Sequence, residues 1–161
     1  MATKTGTNGN NTLYGTSDSD VLNGLGGNDI LFGRSDGDIL RGGDGNDALF
    51  GQGGDDRLIG GRGDDVLFGG TGDNTFVFGF NSGEDVITDF TSDVDRDENI
   101  IDVRGYGIKS FADLREHLDE DAFGVNIDLG KAAGGSGNVN TVTLLDVDLA
   151  DLDPHDFLFI A

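Results

Sequence analysis

The chain has 161 residues, with 31 acidic against 10 basic side chains, a net charge of −21 and no cysteine. Disulfides and thiolate zinc sites are thereby excluded. At a sequence pI near 4.1, nucleic acid or an anionic membrane is also excluded as the main partner, because both need basic patches. No apolar run approaches the ~18 residues of a membrane-spanning helix, and Met1-Ala2-Thr3-Lys4 lacks the hydrophobic stretch of a signal peptide.

From Gly6 a nine-residue unit recurs eight times without insertion or deletion, starting at Gly6, Gly15, Gly24, Gly33, Gly42, Gly51, Gly60 and Gly69. Two of the clearest read Gly42-Gly43-Asp44-Gly45-Asn46-Asp47-Ala48-Leu49-Phe50 and Gly60-Gly61-Arg62-Gly63-Asp64-Asp65-Val66-Leu67-Phe68. Six turn formers followed by three apolar residues predict one turn and one very short strand per unit. Two units make a full coil. Coils stacked at about 4.8 Å give two facing parallel sheets, so the fold class is mainly all-β, a right-handed parallel β-roll. Strand alternation points the eighth positions inward, from Leu13, Leu22, Leu31 and Leu40 through Leu49, Leu58 and Leu67 to Phe76.

One leucine per nine residues is a thin core. Burial at about 25 cal/mol per Å² does not offset the ordering of so many glycines at about 1–2 kcal/mol per residue, so the turns need a ligand. Units two apart stack on one side. They place Asn11, Asp29, Asp47 and Asp65 in one column and Asp20, Asp38, Asp56 and Asn74 in the other. An ion between successive turns would take carboxylate oxygen from two sixth positions. Backbone carbonyls would come from the glycines, namely Gly24, Gly27, Gly33, Gly42, Gly45, Gly51, Gly54, Gly60, Gly63, Gly69 and Gly72. Six to eight hard oxygen ligands suit Ca2+ rather than zinc or copper. Six same-side pairs imply about six ions, which would bring the charge from −21 to about −9. The amides Asn11 and Asn74 fit end sites that need less charge.

The Gly-Gly-x-Gly-x-Asp-x-Leu-x pattern over residues 6–77 resembles the RTX (repeats-in-toxin) calcium-binding family. Phe78 to Phe90, with Gly83-Glu84-Asp85-Val86-Ile87-Thr88-Asp89-Phe90, resembles the segment that closes the roll in serralysin-type metalloproteases. By that resemblance Asp85 takes the sixth position of a ninth, imperfect turn and meets Asp65 across the column. Asn99 to Val103 resembles the strand that follows. The acidic stretch Asp93 to Glu98 has the spacing of an EF-hand start, but Glu98 stands where glycine is required and Arg104 where the last glutamate would be.

Domain organisation follows glycine and glutamate. Of 29 glycines, 22 lie in residues 1–83, and glutamate is absent until Glu84. The reading is a roll over 6–83 and a β-rich cap over 84–161 containing one short helix. In the cap, Glu84 to Phe90 and Asn99 to Val103 are predicted strands. Ser110 to Leu118 is a helix with Ser110 as N-cap and Asp113 at its third position. Val125 to Leu129 and Thr141 to Leu145 form a hairpin around an Ala132 to Gly137 tip, and Asp156 to Ile160 is strand-like. The tail, with Asp156 before Phe157 to Ile160, resembles the uncleaved signal of type I-secreted RTX proteins, placed over 146–161. The resemblance implies a bacterial, secreted (extracellular) protein whose partners are calcium and the type I secretion machinery.

Outward ninth positions Tyr14, Phe32, Phe50 and Phe68 stack as an aromatic ladder at a spacing of 18. Cover from a cap helix around Phe111, Leu114 and Leu118, a second copy, or a polysaccharide would each explain it. A polysaccharide-binding module like those of alginate epimerases would draw on Arg34, Arg41, Arg57 and Arg62. The detached end of a larger secreted enzyme is a third reading. Catalytic signals are absent. Gly33-Arg34-Ser35-Asp36-Gly37 matches the nucleophile elbow but falls in repeat phase. His117 and His155 form no zinc motif, and Asp153-Pro154-His155 is read as a turn.

Overall fold

The structure is a computed structural model that describes residues 1–91, 98–132 and 140–159. Successive strands alternate between two sheets, as the nine-residue period requires. The first sheet runs in the order β1 (Thr3–Thr5), β3 (Val21–Gly26), β5 (Ile39–Asp44), β7 (Arg57–Arg62), β9 (Thr75–Val77), β11 (Ile100–Asp102) and β15 (Phe157–Leu158). The second runs β12 (Leu118–Asp121), β13 (Gly124–Asp128), β14 (Asn140–Leu145), β10 (Gly83–Ile87), β8 (Val66–Thr71), β6 (Ala48–Gly53), β4 (Ile30–Arg34) and β2 (Thr12–Tyr14). Only β12–β13 and β13–β14 are antiparallel among the pairings of the described residues. The architecture is a mostly β, parallel solenoid that matches the right-handed β-roll.

Register places each inward leucine on the next. Leu22 pairs with Leu40, Leu40 with Leu58, Leu58 with Phe76, Phe76 with Ile101, and Ile101 with Phe157. On the other sheet Leu13, Leu31, Leu49, Leu67, Ile87 and Leu144 do the same. Apart from Leu13, the eighth-position residues from Leu22 to Phe76 are fully buried. Most strands of the roll are longer than the three residues predicted. Inward–outward alternation continues past the ninth position, so the first glycine of the next unit is again buried in the strand.

A strand precedes Gly6, where the repeat pattern gave none. In β1, Lys4 pairs with Leu22 and so occupies an inward position, and its ammonium donates to the Tyr14 carbonyl of the facing sheet. A charge inside the first coil satisfies an open backbone group and disfavours edge-to-edge pairing.

Both sheets continue without a break into the cap, through β9–β11–β15 and β8–β10–β14. The predicted antiparallel pair forms, with Ile127 opposite Val142. The chain leaves β13 through a short helix, α2 (Leu129–Ala132); residues 133–139, most of the predicted tip, lie outside the described residues. Ser110 caps the other helix, α1 (Phe111–Leu114), accepting from Asp113 N at 3.2 Å. That helix ends early, because the chain tightens into a 3-10 turn over Arg115–His117 and Leu118 begins β12. It does not cover the aromatic ladder: Phe111 packs on Phe157 with ring centroids 5.8 Å apart, while Tyr14 is 48% and Phe68 38% exposed.

Candidate metal-binding columns

Each turn hangs on the next through its sixth residue. The backbone N–H of Asp20 donates to Asp38 Oδ1 at 2.6 Å, and that of Asp38 to Asp56 Oδ1 at 2.7 Å. Asp56 N–H donates to Asn74 Oδ1 at 3.1 Å. In the other column the same bond runs from Asn11 to Asp29, Asp29 to Asp47, Asp47 to Asp65, and Asp65 to Asp85. The two columns read from the 18-residue phasing are thus present. Asp85 completes a ninth turn, 20 residues after Asp65 rather than 18.

One oxygen of each inner carboxylate is left over. Oδ2 of Asp29, Asp38, Asp47, Asp56, Asp65 and Asp85 is buried and has no hydrogen-bond partner, and these side chains are at most 3% exposed. A buried, unpaired carboxylate oxygen is costly unless a proton or cation meets it. Burial pushes the carboxyl of Asp47 up to about 6, Asp56 and Asp85 to about 7 and Asp65 to about 8, with nearby carboxylates adding to it. Positive charge beside them would favour the ionised form of all four at neutral pH.

The first glycines make the space. A Cβ built on Gly42 would strike both Asp47 Oδ2 and the carbonyl oxygen of Gly60; one on Gly24 would strike Asp29 Oδ2 and the Gly42 carbonyl. The pattern repeats at Gly33 with Asp38 and Gly51, and at Gly51 with Asp56 and Gly69. At each point a carboxylate oxygen and a carbonyl oxygen converge on a spot that only glycine leaves open. Fourth-position glycines do another job. Gly27, Gly45, Gly54, Gly63 and Gly72 all have positive φ, and a side chain on Gly63 would collide with the Gly45 carbonyl of the turn beneath. Among the described residues no three or more His, Cys, Asp or Glu side chains converge on a common point. A cation here therefore needs carbonyls beside its carboxylates, a donor set that fits Ca2+.

A second ladder was not anticipated. Fifth-position side chains accept from the turn above: Asn28 N–H donates to Asn10 Oδ1 at 2.9 Å, Asn46 N–H to Asn28 and Asp64 N–H to Asn46, each at 3.1 Å. It runs opposite to the aspartate ladder, so the adjacent fifth and sixth residues tie each turn to the coils on its two sides. Asn10, Asn28, Asn46 and Asp64 recur every 18 residues, so the signal is present in the sequence. Asp89 was also missed. It accepts from Gly69 N–H at 2.9 Å and Gly70 N–H at 2.7 Å, closing the last regular turn. Of the EF-hand-like stretch, residues 93–97 lie outside the described residues.

The RTX calcium-binding nonapeptide repeat, in four copies, matches residues 5–40 and again residues 41–76. No curated protein sequence matches the chain. Among solved structures it is similar to the extracellular lipase LipA from Serratia marcescens, at 17% identity over 97% of this chain and 39% of the lipase, with a TM-score of 0.46. It is also similar to the AlgE6R3 subunit of the Azotobacter vinelandii mannuronan C5-epimerase, at 20% identity over 94% of this chain and 80% of that one, with a TM-score of 0.53. The second likeness is one of fold, and the chain spans well under half of the lipase. With its phased aspartates and glycine-lined turns, the array at residues 5–76 is an RTX calcium-binding nonapeptide repeat array.

Proposed function

We propose that this chain is a non-enzymatic module whose folding is driven by calcium outside the cell, and whose export uses a type I secretion system. The observation that carries the reading is the set of buried, unpartnered Oδ2 atoms at Asp29, Asp38, Asp47, Asp56, Asp65 and Asp85. Each faces a turn rather than solvent, and a calcium ion drawn to it would link two coils. Low cytosolic calcium would leave the carboxylates repelling one another and the chain loose enough to thread through a channel. Coupling of metal binding to folding then supplies the switch. The same reading holds if these residues close a longer secreted enzyme.

The tail supports the export part. In the fold, Asp156 accepts from Asp153 N–H at 2.7 Å and Phe157 pairs with Ile101 as the last strand, so a signal over 146–161 is open to a transporter only before the cap closes. In bacteria carrying a type I exporter, the full chain should reach the medium and a chain ending at Leu145 should stay inside. Equal export of both would contradict this.

A polysaccharide-binding role has less support in the geometry. Arg57 faces Asp102 at 3.7 Å, Arg62 faces Asp44 at 3.6 Å, Arg41 donates to Asn23 and Arg34 lies over the Tyr14 ring, so each arginine already has a partner within the chain. Tyr14 and Phe32 stack at 5.0 Å and 7°. Such rings spend their faces on each other and show solvent their edges, whereas a sugar platform presents faces.

A further inference from the structure

The first two turns differ from all the others in a way that bears on ion binding. At the second position, residues 25, 34, 43, 52, 61, 70 and 81 all have positive φ, whether glycine or not, but Thr7 and Thr16 do not. At the fourth position, residues 27, 36, 45, 54, 63, 72 and 83 have positive φ, but Gly9 and Asp18 do not. The backbone of these two turns is instead folded onto the sixth residue. Thr16 donates to Asp20 Oδ2 through its N–H at 2.5 Å and its hydroxyl at 2.8 Å. Thr7 N–H donates to Asn11 Oδ1 at 2.6 Å, and Asn11 Nδ2 donates back to the Thr7 hydroxyl at 3.2 Å.

The carboxylate has moved with the backbone. Asp20 Oδ2 lies 3.2 Å from a Cβ built on Gly15, whereas the equivalent oxygens of Asp29 to Asp65 would collide with such a Cβ on their own first glycines. Asp20 is correspondingly absent from the unpartnered oxygens. The far end of that column is closed by a different device. Asn74 presents Nδ2 to Gly69 where the aspartates present Oδ2, and that NH2 donates to the Gly72 carbonyl at 3.0 Å.

We infer that the array carries built-in plugs: Thr7–Asn11 and Thr16–Asp20 close the first coil, and Asn74 closes the second column, each with a hydrogen-bond donor in place of an ion. Calcium then binds only from the third turn onward, on Asp29, Asp38, Asp47, Asp56, Asp65 and Asp85. This rests on the calcium reading and narrows it.

The test is a calcium count by equilibrium dialysis on the full chain and on three isosteric variants, with circular dichroism in calcium to confirm that each folds. Asp20→Asn should keep the wild-type number of ions, while Asp38→Asn and Asp47→Asn each lose at least one. If Asp20→Asn loses as many as Asp38→Asn, the plug at Thr16 is wrong. If all three variants keep the wild-type count, the assignment to the inner aspartates is wrong. A wild-type chain that binds no calcium overturns the underlying reading instead.

Discussion

The backbone N–H of Asp47 donates to Oδ1 of Asp65 at 2.8 Å, and Asp65 Oδ2 is left buried without a partner. One carboxylate therefore carries two separable tasks, a coil-to-coil hydrogen bond and a place for positive charge. Asp65→Asn keeps an acceptor for Asp47 but removes the charge, and should raise the calcium concentration at half-folding by about tenfold, the equivalent of about 1.4 kcal/mol. Asp65→Ala also strands the Asp47 N–H, at a further cost of about 1–3 kcal/mol, and should shift the midpoint further. Circular dichroism titrated with calcium measures both, and an Asp65→Asn midpoint equal to wild type would argue against a ligand role.

The raised carboxyls set the direction of the pH dependence. With Asp47 at about 6, Asp56 and Asp85 at about 7 and Asp65 at about 8 in the ion-free fold, against about 3.9 for an unfolded aspartate, folding takes up protons. Stability of the ion-free fold is then fully present below about pH 4 and is lost as pH rises through 6 to 8. Above pH 7, where the ion-free chain is disordered and its aspartates are already ionised, half-saturating calcium should be level; calcium has protons to displace only where the ion-free fold is populated, so the midpoint should fall as pH rises from about 4 to 6, with proton release in weakly buffered titrations. A midpoint independent of pH over that range would contradict the burial of these groups.

Each sheet contributes one file of side chains to the core. Leu58 is fully buried between Leu40 and Phe76, and neighbouring coils are held apart by backbone spacing, so the gap left by Leu58→Ala cannot close. Its cost should be about 2–5 kcal/mol in urea unfolding at saturating calcium. Val66→Ala, on the outer face at 42% exposed, should stay within about 0.5 kcal/mol.

Gln52 holds φ at +81 in a second position, where Gly43, Gly61 and Gly70 also have positive φ. The left-handed conformation costs a non-glycine residue about 1–2 kcal/mol, and glycine gives back about 0.5–1 kcal/mol in the unfolded chain. Gln52→Gly should therefore stabilise the folded chain by about 0.5–1 kcal/mol, read as a higher urea midpoint at fixed calcium.

The roll was legible because its signal is local and repeated. Leu at the eighth position and Asp at the sixth, phased by 18, place every strand from Thr12 to Val77 and both carboxylate columns. Asp85 was reached by resemblance and lies opposite Asp65 as expected. The rest depends on partners far apart in sequence. Lys4 gives no hydrophobic signal, so β1 was passed over although its backbone pairs with β3. Nothing near Asn140 indicates that β14 lies against β10 in parallel. Leu118 suited the end of a helix, yet it begins a strand because β13 offers it Ile127 as a partner. Thr7 and Thr16 read as ordinary turn residues, and only the backbone shows that they turn inward to their own sixth positions.

The most direct test of calcium-driven folding is far-ultraviolet circular dichroism of the full chain through one cycle of calcium, chelator and calcium, with magnesium at equal concentration as control. The account predicts a disordered spectrum in chelator, a β spectrum in calcium that returns on re-addition, and no comparable gain in magnesium. A β spectrum that persists unchanged in chelator would contradict it.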